Sequence, residues 1–242
     1  MVHTRLAWRM VCGLVLLTVL AGCGGDEDGS GPEPGANNQT LRLLQKPFQG
    51  NFANTAPFDH DLPLLFREQD NSFMLTWWGG HIEGIWNGHN GNDWNLPADT
   101  PVLAAAAGEV VYADFEPPFF CPSLGETSAL IVRLRHTTPD GDSFETLYAH
   151  LNRLDVARGQ RVRAGQPLGL SGSTGCTNGP HLHFSVTRLT HTNNGRPVAV
   201  DPFGWQGPGP DPWAQYSEGA PSVWLWKQGR APDGGTRLYG AP

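Results

Sequence analysis

From Asp99 onward the chain alternates short apolar runs with glycine turns. In "SALIVRLRH" (128–136) the residues Leu130, Val132 and Leu134 fall on one face, the two-residue period of a half-buried strand. "SFETLYAHL" (143–151) follows after Pro139-Asp140-Gly141-Asp142, and Asp-Gly between two alternating runs predicts a hairpin. "TPVLAAAAGEVVYADF" (100–115) reads as two short strands around Gly108, and "GQRVRAGQPLGLSG" (159–172) as further short strands between turns. "NGPHLHFSV" (178–186) sends Leu182, Phe184 and Val186 to one face and His181, His183 and Ser185 to the other. Upstream, residues 41–80 hold apolar pieces such as "LPLLF" and "SFMLTWW" separated by turn signals. No stretch sustains a period of 3.6. The pattern predicts an all-β domain of antiparallel sheet.

Composition agrees: 31 Gly, 21 Pro and 16% charged residues in 242 positions favour many short strands and turns over long charged helices. The formal net charge of −7 argues against a nucleic-acid binder, which normally carries a basic face. The first residues follow a different logic. Arg5 and Arg9 precede an apolar run from Met10 to Ala21, shorter than the roughly 20 residues that span a bilayer and in keeping with a secretory leader over 1–22. It ends in Leu20-Ala21-Gly22-Cys23, which resembles the lipobox of bacterial lipoproteins. That resemblance implies cleavage before Cys23, a lipid on its sulfur and attachment to a membrane. Gly24 after Cys23 favours the outer membrane of a two-membrane cell. Residues 24–40, "GGDEDGSGPEPGANNQT", cannot bury a core and read as a flexible tether of roughly 20–25 Å.

Of four cysteines, Cys12 lies in the leader and Cys23 takes the lipid, leaving Cys121 and Cys176. In an exported chain two remaining cysteines most simply pair. Closing that loop stabilises by about 4 kcal/mol in the chain-entropy model. The expected organisation is leader (1–22), lipidated Cys23 and tether (23–40), an N-terminal extension (41–80), a core (81–201) and a Trp/Gly/Pro-rich C-terminal extension (202–242). The last is expected to lie on the core as irregular structure with an edge strand.

The histidine pair in "NGPHLHFSV" can serve as metal ligands, as acid/base groups or as surface decoration. "GHNGNDW" (88–94) sharpens the choice. His89 and Asp93 are four apart, about 13 Å along a straight strand and too far for one ion. Gly91 permits the positive φ of a tight bend that would fold both side chains to one point. Together with one histidine of the pair they would make three N/O ligands, leaving a fourth position to water, as in catalytic zinc sites. His150 ends an alternating strand and adds an imidazole whose ordinary pKa suits proton transfer near neutrality. "FDHDLP" (58–63) reads as a solvated turn, with a second cation site as its alternative. The tryptophans, Trp77, Trp78, Trp86 and Trp94 among them, are expected mainly in the core. "GLSGSTG" lacks the Lys-Ser/Thr of a phosphate loop.

Taken in order, "HNGNDW" (89–94), "TPVLAAAAGEVVYA" (100–113), "LYAHL" (147–151) and "GQRVRAGQPLGLSGSTGCTNGPHLHF" (159–184) resemble the lysostaphin/LytM-type zinc metallopeptidases. The resemblance covers about 100 residues. It implies a barrel-sandwich-like metallopeptidase domain with a groove over an antiparallel sheet. It also implies one Zn2+ per chain held by His89, Asp93 and His183, with His150 and His181 as the unliganded catalytic pair. One of that pair would help to activate water and the other would stabilise the oxyanion. The implied activity is cleavage of bacterial cell-wall peptidoglycan peptides, often at glycine- or D-amino-acid-containing bonds, by an exported, lipid-anchored monomer facing the periplasm or wall. Asn92 departs from the family pattern, where an apolar residue is usual, and so does Cys176 within the Gly/Ser/Thr turn. Two readings compete. "AAGEVV" with "GQRVRAGQPLG" also suggests a lipoyl-type carrier, but the only lysines, Lys46 and Lys227, lie outside that pattern. A non-catalytic adaptor that activates another wall hydrolase is the other, and a chain that had abandoned the chemistry would be expected to have lost ligands.

Overall fold

The computed structural model describes residues 42–61, 73–83, 88–139, 141–190, 192 and 194–241. The leader, Cys23, the tether and Trp86 lie outside the described residues. In chain order the strands are β1 Asn54–Ala56, β2 Phe73–Leu75, β3 His81–Glu83, β4 Asn92–Trp94 and β5 Pro101–Leu103. They continue with β6 Gly108–Phe115, β7 Phe119–Cys121, β8 Gly125–Thr127, β9 Leu130–Thr137 and β10 Ser143–Ala149. The last five are β11 Leu151–Leu154, β12 Arg161–Val162, β13 Pro167–Ser171, β14 Leu182–Arg188 and β15 Val198–Val200. Apart from two short helical turns, Trp213–Gln215 and Thr236–Tyr239, the regular structure of the described residues is β, with antiparallel sheets, as the alternation implies.

The main sheet has eight strands in the order β1-β4-β14-β10-β9-β6-β12, with β15 also on β14. A second sheet runs β11-β13-β5. The hairpin between β9 and β10 forms where Asp-Gly predicts it: Gly141 takes φ +86° and Thr138 N–H donates to Asp142 O at 2.9 Å. Alternation places Leu134 and His136 inside and Arg133 and Arg135 outside. One core serves both sheets, with Val110, Leu134, Phe144, Phe184 and Val186 from the first and Val102, Leu151 and Leu168 from the second. Burial of such side chains is the main stabilising term of a fold this poor in helix. The opposite face of the main sheet carries only the small cluster Ala129, Ile131 and Ala149, and there the polar residues of β14 and β4 gather.

Both extensions are built into the domain. β1 joins the main sheet beside β4, and β2 and β3 pair across residue 80. The C-terminal segment was expected to add an edge strand. Among its described residues it forms none, only isolated bridges Phe203↔Trp224 and Leu44↔Trp226. Pro202, Pro208, Pro210, Pro212, Pro221 and Pro232 have no N–H to give a ladder. The segment instead supplies acceptors and rings. Gly234 O receives Trp77 Nε1–H at 2.9 Å, Asp233 O receives Trp94 Nε1–H at 2.8 Å, and Trp213 and Trp226 are buried in the core.

The described part of "FDHDLP", residues 58–61, is not a solvated turn. Asp59 and His60 are both fully buried. His60 Nδ1 lies 2.8 Å from Asp211 Oδ1 and its Nε2 lies 3.1 Å from Asp201 Oδ2. The polar sequence looks solvated only until elements about 140 residues downstream close over it. The two carboxylates meet opposite nitrogens of one ring, so they bridge through the imidazole rather than converge on a cation.

Candidate metal centre

β4 and β14 run antiparallel with Asp93 directly opposite His183. Residues so paired share a face and stand close. Asp93 Oδ1 lies 2.8 Å from His183 Nδ1. His89, just before β4, brings Nε2 to 3.2 Å from Asp93 Oδ1 and 3.1 Å from His183 Nδ1. These three atoms form a near-equilateral triangle, the one group of three His, Cys, Asp or Glu side chains among the described residues placed to hold a metal ion. Tetrahedral bonds of 2.0–2.1 Å separate ligand atoms by about 3.3 Å, so the triangle and its donor types fit zinc. The side chains keep only 10–13% of their surface exposed, enough to leave a fourth direction open.

The local reason for the bend at His89 differs from the one the sequence suggests. Gly91 does not adopt positive φ; Gly88 does, at +81°. Gly91 is required by proximity. A Cβ there would lie 2.7 Å from both His183 Cε1 and Phe184 O, so only glycine lets the strand carrying Asp93 approach β14 this closely. Asn92 is buried because it works as a polar link, accepting from Asn54 Nδ2 at 2.7 Å and donating to Asp201 Oδ1 at 3.4 Å.

Hydrogen bonds assign the imidazole tautomers. A carbonyl only accepts, so His89 Nδ1–H donates to Pro57 O at 2.9 Å, which leaves Nε2 with a lone pair aimed into the triangle. Burial opposes charge on Asp93, but the positive charge of His89 and the contacts of His183 and His89 in their protonated forms outweigh it and hold the carboxyl well below its usual range. Burial dominates at His183 and pushes its pKa down despite Asp93. Ionised carboxylate and neutral imidazole are the forms a metal ligates. At His89, burial is overcome by the charge and hydrogen bond of Asp93, and the pKa moves up.

Two further histidines stand beside the triangle. His150 follows β10, whose last residue Ala149 pairs with His183. His150 turns the chain into β11 with φ +64°, an uncommon conformation outside glycine that needs its surroundings to hold it. Its Nδ1–H donates to Thr174 O at 2.7 Å, leaving the lone pair on Nε2. Burial first, then the positive charges of His183 and His181, push its pKa down to about 4, so the ring is neutral at physiological pH. The His181 ring lies 4.6 Å from it, centroid to centroid. His181 Nδ1–H donates to Gly179 O at 2.9 Å and its Nε2 sits 3.7 Å from Asp93 Oδ2. All five side chains therefore converge.

Residues 173–179 frame both of these rings. Thr174 Oγ1 receives Leu130 N–H at 2.9 Å and donates to Leu151 O at 2.9 Å; Thr177 Oγ1 donates to Gly179 O at 2.7 Å. Cys176 is bonded to Cys121 across 55 residues, as cysteine arithmetic anticipates, tying the frame to the β7–β8 hairpin. Sequence reasoning missed one buried polar network, where His136 Nδ1–H donates to Ala107 O at 2.8 Å and Nε2 meets Thr146 Oγ1 at 2.8 Å. His136 sits in phase with the apolar positions of β9, and that phase was the available signal.

Residues 87–201 match the profile of Peptidase family M23. The chain is 36% identical over 110 residues to the "Peptidoglycan DD-endopeptidase ShyA" of Vibrio cholerae serotype O1, covering 46% of this chain and 21% of that protein. It is 36% identical over 113 residues to the "DD-carboxypeptidase/endopeptidase Mpg" of Neisseria meningitidis serogroup B, covering 47% and 22%. The match thus spans about a fifth of the length of these relatives. Among solved structures, the catalytic domain of lysostaphin from Staphylococcus simulans superposes with a TM-score of 0.38 at 30% identity, covering 53% of this chain and 85% of that one.

Proposed function

From the premise that residues 87–201 are a Peptidase family M23 domain, we propose that this protein is a zinc-dependent metalloendopeptidase that hydrolyses peptide bonds of bacterial peptidoglycan. The observation that carries the reading is the convergence of His89 Nε2, Asp93 Oδ1 and His183 Nδ1 within 3.2 Å of one another, beside two histidines that lie outside the triangle. Relatives named as peptidoglycan DD-endopeptidases support the substrate class.

Zinc, when bound, supplies Lewis acidity toward water and the scissile carbonyl. The chain's own residues do the rest. His89 is oriented by Pro57 O and His183 by its cross-strand partner Asp93, so the ligand atoms are set before any substrate arrives. His150 and His181 both spend Nδ1–H on a backbone carbonyl, which leaves each Nε2 available. A neutral ring accepts the proton of the attacking water on Nε2, and the other ring, protonated so that Nε2 also carries a hydrogen, holds the developing oxyanion. Proton transfer of this kind contributes typically 10²–10⁴-fold. The low pKa of His150 keeps its ring neutral at neutral pH, with the lone pair on Nε2. We further propose export and lipid anchoring through Cys23, tested by mass analysis of the mature N-terminus.

The test is digestion of purified wall fragments by the purified protein, with and without a chelator, followed by mass analysis of the products. Chelator-sensitive release of peptides cut at an internal bond is expected; release that ignores the chelator would overturn the zinc mechanism. An adaptor has no need of a filled site, so the zinc content of the purified chain separates the two readings.

A further inference from the structure

The metal triangle lies within residues 87–201, but the groups that hold His89 in place come from an upstream segment beyond the family match. Three consecutive contacts run from residues 57–59 to this loop. Pro57 O receives the His89 ring N–H at 2.9 Å. Asp59 N–H donates to His89 O at 2.9 Å. The Asp59 carboxylate receives Gly88 N–H on Oδ2 at 2.7 Å, just where Gly88 takes its left-handed turn. The other oxygen, Oδ1, receives Leu75 N–H at 2.9 Å and Asp61 N–H at 3.3 Å. Asp59 is fully buried, and a buried carboxylate accepting several backbone N–H groups is held in one orientation.

We propose that Asp59 is a positioning residue for the metal centre: its carboxylate and backbone N–H clamp residues 88–89, and so fix the direction in which His89 presents Nε2 to the ion. The inference rests on the metal site proposed above. Next door, in a separate contact, the His60 ring is held between Asp201 and Asp211, and the His60 backbone N–H donates to Leu75 O at 2.7 Å. A segment that looks like packing thus becomes part of the metal site's outer sphere. Groups in that position typically change metal affinity by 10–100-fold when removed.

Asp59→Asn replaces one acceptor oxygen by an NH2 that must face a backbone N–H, so the clamp loses a bond without losing volume. Asp211→Asn weakens the neighbouring anchor, where the carboxylate receives Trp213 N–H and Ser222 N–H, with no contact to residues 88–89. Both variants, with wild type and Asp93→Asn, are compared as the mature full chain. The readouts are the zinc dissociation constant by chelator competition, the visible spectrum of the Co2+-loaded protein, and the urea midpoint. Asp59→Asn is expected to weaken zinc binding 10–100-fold and shift the cobalt bands, whereas Asp211→Asn lowers the urea midpoint and leaves both unchanged. Wild-type affinity and spectrum in Asp59→Asn, or an equal loss in Asp211→Asn, would overturn the proposal. If Asp59→Asn does not fold, Asp59→Ser, which keeps a shorter acceptor at the same place, is read by the same criteria. Zinc binding lost in Asp93→Asn but kept in Asp59→Asn overturns this inference alone; a wild type that binds no zinc overturns the metal site as well.

Discussion

Asp93 and His183 face each other across two adjacent antiparallel strands, with Oδ1 2.8 Å from Nδ1. They are 90 residues apart in the chain, and the register of β4 on β14 alone makes them neighbours. A slip of one residue would send His183 into the core and Phe184 into the site.

On the proposed mechanism, that pairing separates metal-holding from proton-handling groups. His183→Ala should remove both zinc and hydrolysis. His150→Ala should retain zinc and lose about 10²–10⁴-fold in kcat. Zinc content by atomic absorption, read beside product release from wall fragments, checks both; loss of zinc in the His150 variant would reverse the assigned roles.

His150 also carries a backbone cost. At φ +64° a residue with a Cβ is disfavoured by roughly 1 kcal/mol relative to glycine. His150→Gly should therefore be more stable than His150→Ala by about that amount while both are inactive. Paired urea titrations decide it, and equal midpoints would refute the strain.

Gly91 is a steric requirement. Gly91→Ala should destabilise by about 1–3 kcal/mol through overpacking and abolish zinc binding, because the added methyl meets His183 and Phe184. Gly179→Ala has nothing within 4 Å of its Cβ, so although its φ of +157° costs some stability, it should keep its zinc. Metal content of the two variants is the comparison.

Stability should fall on the alkaline side. Burial alone would lower the pKa of His60, but hydrogen bonds and charge from Asp201 and Asp211 raise it to about 9 from 6.5. A raised folded pKa contributes stability that is fully present below pH 6.5 and lost as pH climbs through about 9. The full span is on the order of 3 kcal/mol. Urea midpoints at pH 6, 7.5 and 9 should decline for the wild type, and His60→Gln should flatten the decline. A wild-type curve that is level over this range would mean the pair contributes no proton-linked stability.

The disulfide should matter twice. Cys121→Ser/Cys176→Ser should lose up to about 4 kcal/mol. It should also reduce kcat with zinc retained, because the frame it anchors holds His150 and His181 but none of the three ligands. Melting temperature, zinc content and kcat measured on one preparation distinguish the two effects.

Local pattern determined the strands between 100 and 115, 128 and 151, and 159 and 186, the Asp-Gly hairpin and the set of side chains from which a metal site could be drawn. Once Cys23 is set aside by its lipobox resemblance, it also determined the Cys121–Cys176 pairing. These follow from period-two alternation, turn chemistry and residue type, all of which act over a few positions or by elimination; β1, β7, β8 and β15 were not legible. From its own spacing, "PHLHF" leaves His181 and His183 equivalent; the resemblance told them apart, and the register of β14 against β4 shows why, since His183 alone stands opposite Asp93. Tertiary structure also decided that Gly91 serves proximity rather than a left-handed turn, and that Asp59 and His60 are buried. His60 meets partners 141 and 151 residues away. Whether a short polar run is solvated or sealed depends on what later elements lay over it, and no local pattern carries that information.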